Sequence, residues 1–267
     1  MPYLKTNTGI NWHYTISGEG QCLLFIHGWS VDHRIWRQQI KNFQKEFKVM
    51  AVDLPGHGQT TWKNVAFEDM AKDIKQIFKQ EGFNEVIIVG SSLGGLMSLK
   101  LYAIAAERIA KMIFVGSLPK FAKSETQPFG LDIIQIRKLS GQLETDYASI
   151  VNIFFRSLFT KEERETRRFK WIQKFRKEED PPMKDALAEY LNILECEDLT
   201  DVLKNVKVSM QFINGTGDDI CNAKAVDFLK QIVPQARFDW MQQCGHFSFL
   251  STPEGFNKIL EVFVKSV

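Results

Sequence analysis

Ser92 lies in Gly90-Ser91-Ser92-Leu93-Gly94, and of the two adjacent serines only Ser92 has a glycine two residues away on each side. A serine hydroxyl is a poor nucleophile near neutral pH and needs a base whose pKa lies close to neutrality, which points to histidine. Five histidines compete for that role: His13, His27, His33, His57 and His246. His246 follows Gly245, which lets the main chain approach a neighbour closely. The base in turn needs a partner that fixes its tautomer, and Asp218 in Gly215-Thr216-Gly217-Asp218 supplies one, with Asp219 as its rival. The competing reading makes Asp218 a helix cap and His246 a satisfied loop residue. Cys244, two residues before His246, is a further candidate nucleophile. A tetrahedral intermediate on Ser92 requires two donors aimed at its oxyanion. The N–H of Leu93, next after the nucleophile, is one, and the N–H of Trp29 in His27-Gly28-Trp29 is the other. His27 itself reads as a buried side chain holding that loop, and His57 in Gly56-His57-Gly58 as a turn residue.

These residues need a scaffold that brings loop ends together. Val86-Ile87-Ile88-Val89 is a β-branched apolar run that stops at Gly90, and Leu96, Leu99, Leu101 and Tyr102 follow at roughly helical spacing. That is a buried strand turning sharply into a helix, the context in which G-x-S-x-G raises its serine above a sheet edge. Cys22–Ile26 is apolar throughout, as a strand covered on both faces must be, and its exit loop carries Trp29. Further strands are expected at Val49–Val52, Lys111–Gly116, Val206–Ile213 and Arg237–Met241. Helices are expected at Arg34–Phe47, Phe67–Phe78, Ala223–Ile232 and Pro253–Val264. Tyr3–Lys5 and Ile10–Ile16 read as an antiparallel edge hairpin with one solvated face, because Ile10, Trp12, Tyr14 and Ile16 alternate. Alternating strands and helices predict an α/β chain with a mostly parallel doubly wound sheet.

The rhythm changes between residues 118 and 199, where only helical patterns occur: Ile133–Leu143, Tyr147–Phe159, Lys161–Lys177 and Ala186–Leu194. Residues 1–117 and 200–267 therefore read as the core, and 118–199 as a helical lid inserted between the sixth and seventh strands. Over Lys161–Lys177 eight basic residues face three acidic ones, with Arg164, Arg167, Lys170, Lys174 and Lys177 on one helical side. Solvation alone explains such a face. The functional reading is a dock for an acidic partner.

The chain has 267 residues, a net charge of +2 and 44% hydrophobic residues, the composition of a globular protein without a general affinity for nucleic acid. No apolar run approaches the ~18–20 residues of a membrane span, and no signal core precedes Thr6-Asn7-Thr8, so a cytoplasmic protein is expected. Cys22, Cys196, Cys221 and Cys244 are widely spaced, as suits free thiols better than a zinc site or a disulfide framework.

Ile26-His27-Gly28-Trp29, Asp53-Leu54-Pro55-Gly56-His57-Gly58, Gly90-Ser91-Ser92-Leu93-Gly94-Gly95, Gly215-Thr216-Gly217-Asp218 and Gly245-His246, with the order Ser92, Asp218, His246, resemble the α/β-hydrolase fold. Within it, His27-Gly28-Trp29, Val31 to Trp36, Phe67-Glu68-Asp69-Met70-Ala71 and Ser92-Leu93-Gly94-Gly95-Leu96 are most similar to the pimeloyl-acyl-carrier-protein methyl ester esterases of biotin synthesis. Ser91 stands where that family carries tryptophan, and Asn222 where a proline often follows the acid. The resemblance implies ester hydrolysis through an acyl-enzyme without metal or organic cofactor. Ser92 would attack, His246 would accept its proton and Asp218 would stabilise the imidazolium. The acidic partner read from the basic lid would be an acyl carrier protein or an acidic acyl chain. A thioesterase or C–C bond hydrolase would use the same three residues, and a non-catalytic binding protein is the reading from a different class.

Overall fold

The computed structural model describes residues 2–125, 127–176 and 181–266. Eight strands form one sheet: β1 (Tyr3–Lys5), β2 (Asn11–Ser17), β3 (Cys22–Ile26), β4 (Lys48–Val52), β5 (Val86–Ser91), β6 (Ile109–Val115), β7 (Ser209–Gly215) and β8 (Arg237–Met241). Their spatial order is β1-β2-β4-β3-β5-β6-β7-β8. The pairs β1–β2 and β2–β4 are antiparallel and all the others are parallel. The helices are α1 (Arg37–Phe43), α2 (Phe67–Glu81), α3 (Leu93–Ala105), α4 (Ile133–Thr145), α5 (Tyr147–Ser157), α6 (Lys161–Glu165), α7 (Arg167–Arg176), α8 (Lys184–Cys196), α9 (Thr200–Lys204), α10 (Ala223–Ile232), α11 (Ser248–Ser251) and α12 (Pro253–Val264).

The all-apolar strands sit where two covered faces require them. Along β3, Leu24 and Ile26 enter one core with α2 and α3, while Leu23 and Phe25 enter the other with Trp36, Phe249 and Phe256. Helix α2 presents Phe67, Met70, Ile74, Ile77 and Phe78 on one stripe and stops at Gly82, whose φ of 69° is the left-handed conformation of a helix C-terminus. Helix α3 is buried along nearly its whole length and so lacks a polar face. The helical insertion falls between β6 and β7, where α4 to α9 lie.

Three expectations are corrected. The strand β2 has no solvated face at its centre, because Trp12, His13 and Tyr14 are all buried. Trp12 Nε1 donates to Asp73 of α2 (2.9 Å), while His13 Nδ1 meets Asp53 at 2.6 Å. Trp12 and Tyr14 lie on the expected inner face, while His13, with a fixed partner, stands where alternation alone predicts exposure. The expected helix from Arg34 begins as a 3-10 turn at His33–Trp36, capped by the Asp32 carboxylate on Arg34 N–H, and α1 ends at Phe43.

The expected helix Lys161–Lys177 is broken at Thr166, whose backbone is extended (φ −75°, ψ 155°). Its hydroxyl donates to Glu163 O (2.7 Å) and accepts from Phe169 N–H (3.1 Å), so the side chain that ends α6 also caps α7. The single basic face therefore does not form. Arg164 turns inward to the carbonyls of Arg156 (3.1 Å) and Phe159 (3.0 Å), and Arg168 donates to Leu250 O (2.9 Å). Lys161, Arg167, Lys170 and Lys174 remain exposed, and Lys177 lies outside the described residues.

Candidate active site

The turn from β5 into α3 is tight. Ser92 caps α3 with φ 54° and ψ −119°, a backbone region that non-glycine residues occupy only under strain. A Cβ on Gly90 would stand 2.4 Å from Gly94 O, and one on Gly94 would stand 2.3 Å from Ile26 O. Gly90 is therefore required by the packing of the strand end against α3, and Gly94 by the packing of the helix against the end of β3. Ser92 is 9% exposed, and its hydroxyl is hydrogen-bonded to no group among the described residues. Ser91 is fully buried with an unpartnered hydroxyl, so the neighbouring serine faces the interior.

Asp218 and His246 come together at the ends of β7 and β8. Asp218 Oδ2 lies 2.8 Å from His246 Nδ1, with both residues buried. Its other oxygen accepts from Ile220 N–H (2.8 Å) and Cys221 N–H (2.9 Å). The aspartate thus holds its own loop and engages the histidine, whereas the cap of the following helix, the competing reading of Asp218, is Asn222. Asp219 is exposed. The imidazole reaches the serine's strand end: a Cβ on Gly116 would lie 2.9 Å from His246 Nδ1, while neighbouring Ser117 donates to Ser92 O at 2.8 Å. Ser92 and His246 thus flank the exit of β6. No hydrogen bond joins them among the described residues.

Trp29 is held by its indole N–H on Leu187 O (2.9 Å) and by the edge-to-face ring of Phe154 at 4.7 Å, so two helices of the insertion fix the loop after β3. The backbone N–H groups of Trp29 and Leu93 have no acceptor among the described residues. His27 stabilises the same loop: Nδ1 meets Gly28 O at 2.8 Å and Nε2 accepts from Leu54 N–H at 2.9 Å. Burial lowers its pKa, and burial likewise takes His57 down to about 3, so both rings stay neutral connectors. Cys244 is turned to Thr252 Oγ1 (3.2 Å), and burial raises its thiol pKa. His13 and His33 bind Asp53 at 2.6 and 2.8 Å, hydrogen-bond separations shorter than the ~3.3 Å between ligands of a tetrahedral ion.

Glu163 escaped the sequence reading. Its Oε2 accepts from Thr160 N–H (2.6 Å) and from Gly245 N–H (3.0 Å), and His246 N–H donates to Leu158 O (2.8 Å). A Cβ on Gly245 would stand 2.6 Å from Leu158 O, so this glycine admits the insertion rather than the sheet. Thr160-Lys161-Glu162-Glu163 carries the S/T-x-x-E pattern of a capping box, and that signal was available in the sequence. Glu163→Ala leaves the buried Gly245 N–H and the half-buried Thr160 N–H without an acceptor and frees the histidine's loop. The expected result is a ten- to hundredfold fall in kcat with little change in KM, while Glu163→Gln, which keeps an acceptor, recovers most of it. Steady-state kinetics of the two variants check this.

A family model for the alpha/beta hydrolase fold matches residues 21–253. The chain belongs to the alpha/beta hydrolase fold family. Among its relatives in that family is a pimeloyl-[acyl-carrier protein] methyl ester esterase of Nitrosomonas europaea, 29% identical over 91% of this chain and 96% of the relative. The enzyme of the same name from Wigglesworthia glossinidia brevipalpis is also 29% identical, over 94% of this chain and 97% of the relative. Among solved α/β-hydrolase-like structures, an esterase from Exiguobacterium antarcticum superposes with a TM-score of 0.90 at 22% identity, covering 99% of both chains. An enol-lactonase from Burkholderia xenovorans LB400 gives 0.87 at 21% identity, covering 99% of this chain and 100% of that one. These likenesses establish the shared fold. Among the described residues, no helix is long and apolar enough to cross a membrane.

Proposed function

We propose that this chain hydrolyses carboxylic esters through an acyl-enzyme on Ser92. The observation that carries the reading is the 2.8 Å contact of Asp218 with His246 Nδ1, at the sheet rim where Ser92 is held in its strained turn. The aspartate keeps the Nδ1 proton in place, which leaves Nε2 as the acceptor for the serine proton. Ser92 Oγ then bonds to the ester carbon while its proton passes to His246. The oxyanion is received by the N–H groups of Trp29 and Leu93, which carry no competing acceptor among the described residues. Collapse expels the alcohol, protonated by His246. Water, deprotonated by the same imidazole, cleaves the acyl-enzyme and restores the serine. The open Ser92–His246 contact fits a site whose bonds tighten on substrate.

The substrate class we favour is a methyl ester on a carrier-linked acyl chain. Support comes from the relatives whose names specify that substrate and from the exposed cations Lys161, Arg167, Lys170 and Lys174 on the insertion, which suit an acidic carrier. We read residues 118–199 as the lid that walls this site. A panel of one acyl chain presented as free methyl ester, thioester and carrier-linked methyl ester tests the proposal. The expected order of kcat/KM places the carrier-linked methyl ester first by at least tenfold. A preference for the thioester would move the reading to thioester hydrolysis, and no turnover of any member would remove it.

A further inference from the structure

A cavity of about 540 Å³ opens between the loop after β3, helix α5 and the C-terminal end of α7. Its apolar wall includes Val31, Ile35, Val151, Phe155, Ile172 and Leu250, enough to hold a medium acyl chain. Polar groups line the same surface, among them Ser30, Asp32, Arg34 and Arg176. Two of these side chains, Ser30 and Arg176, have no hydrogen-bond partner among the described residues. Ser30 is 1% exposed, sits at φ 65°, and its buried hydroxyl bonds to nothing among the described residues. The Arg176 guanidinium packs on the Phe155 ring at 4.4 Å and makes no hydrogen bond or ion pair among the described residues. Burial lowers its pKa, offset only in part by Tyr147 and Asp32. Asp32 is engaged by Arg34 through both oxygens (2.9 and 2.7 Å), so its charge is already matched.

Arg176 is half-buried, and its guanidinium nitrogens reach solvent at the cavity, so the site presents a cation with no protein acceptor among the described residues. Its planar fork matches an oxyanion, and the Ser30 hydroxyl, in the lining of the same cavity and bonded to nothing else among the described residues, adds a neutral donor once it turns to the ligand. We propose that this cavity binds the terminal oxyanion of an acyl arm, with Arg176 and Ser30 as its donors. The inference rests on the esterase reading in one respect: the ester end of the same arm would lie at Ser92. Two lining residues adjoin the site along the chain: Ser30 follows Trp29 directly, and Leu250 lies in α11, four residues past His246. The oxyanion has two possible sources, the free carboxylate of a dicarboxylic half-ester or the phosphate of a pantetheine arm.

Binding is measured by calorimetry in the Ser92→Ala background, so that the result does not depend on turnover. The probes are monomethyl against dimethyl pimelate, and phosphopantetheine against pantetheine. At least one anionic member is expected to bind tenfold or more tighter than its neutral counterpart. Arg176→Gln should collapse that ratio to within twofold, and Ser30→Ala should reduce it about threefold. Arg176→Lys, which keeps the charge but not the fork, should give an intermediate ratio and guards against a folding defect in the Gln variant. A preference for monomethyl pimelate identifies the carboxylate, and one for phosphopantetheine the phosphate. Equal affinities within both pairs, or a ratio that survives Arg176→Gln, would overturn the proposal. Failure of the wild-type protein to turn over any ester, with these ratios intact, would remove the esterase reading and leave the anion site standing.

Discussion

Ser92→Ala is expected to lower kcat for ester hydrolysis by roughly 10⁴- to 10⁶-fold, since no other group can form the acyl-enzyme. The replacement keeps a Cβ in the strained turn and removes an oxygen without a hydrogen-bond partner, so the melting temperature should move by only a few degrees. Ser91→Ala is the matched control. Its hydroxyl is buried against the interior, and turnover should persist in that variant. The measurement is initial-rate hydrolysis of a nitrophenyl ester, followed by a search for a covalent adduct after an organophosphonate. A Ser92→Ala protein within tenfold of the parent would exclude Ser92 as nucleophile.

The second large effect concerns Asp218, whose two oxygens have separate duties. Oδ1 holds the loop through Ile220 and Cys221, and Oδ2 faces His246. Asp218→Asn can keep the loop bonds through its carbonyl oxygen. Its NH₂ then points at Nδ1 and forces the ring proton onto Nε2, where it blocks proton abstraction. A drop of about 10⁴ in kcat with nearly unchanged stability is expected. Asp218→Ala removes the loop acceptor as well, and should also destabilise by ~1–3 kcal/mol for each orphaned N–H. Paired kinetics and chemical denaturation separate the two duties. If the asparagine variant loses stability but keeps more than a tenth of its turnover, Asp218 is a loop cap and nothing more.

The legible parts of the sequence were those where one physical demand dominates. Strands β3 and β5 must be apolar on both faces, and the elbow glycines have no room for a Cβ, so residue type alone announces them. The final helix and α10 matched to the residue because Pro253 and Asn222 mark their starts. Where two demands compete, the pattern misled. Thr166 is an ordinary helix-surface residue by periodicity, yet its hydroxyl offers the backbone a better bond outside the helix. Trp12 and Tyr14 alternate with His13 like a half-solvated strand, but the long-range Asp53 carboxylate draws His13 inside as well. The pairing of Asp218 with His246 is readable from strand ends and chain order, whereas the capping-box pattern around Glu163 gives no sign that the same carboxylate also reaches Gly245.

Because Leu158 and Glu163 grip the loop of His246 while Leu187 and Phe154 grip Trp29, the inserted helices would, on the proposed mechanism, also set the alignment of the proton acceptor and an oxyanion donor. Grafting those helices of one relative onto the base of another would then alter turnover as well as selectivity. In a lineage that drifts toward new substrates, changes in these helices cannot be fitted to the ligand alone. Each must also preserve the seating of the two catalytic loops, which ties the evolution of taste to the evolution of speed.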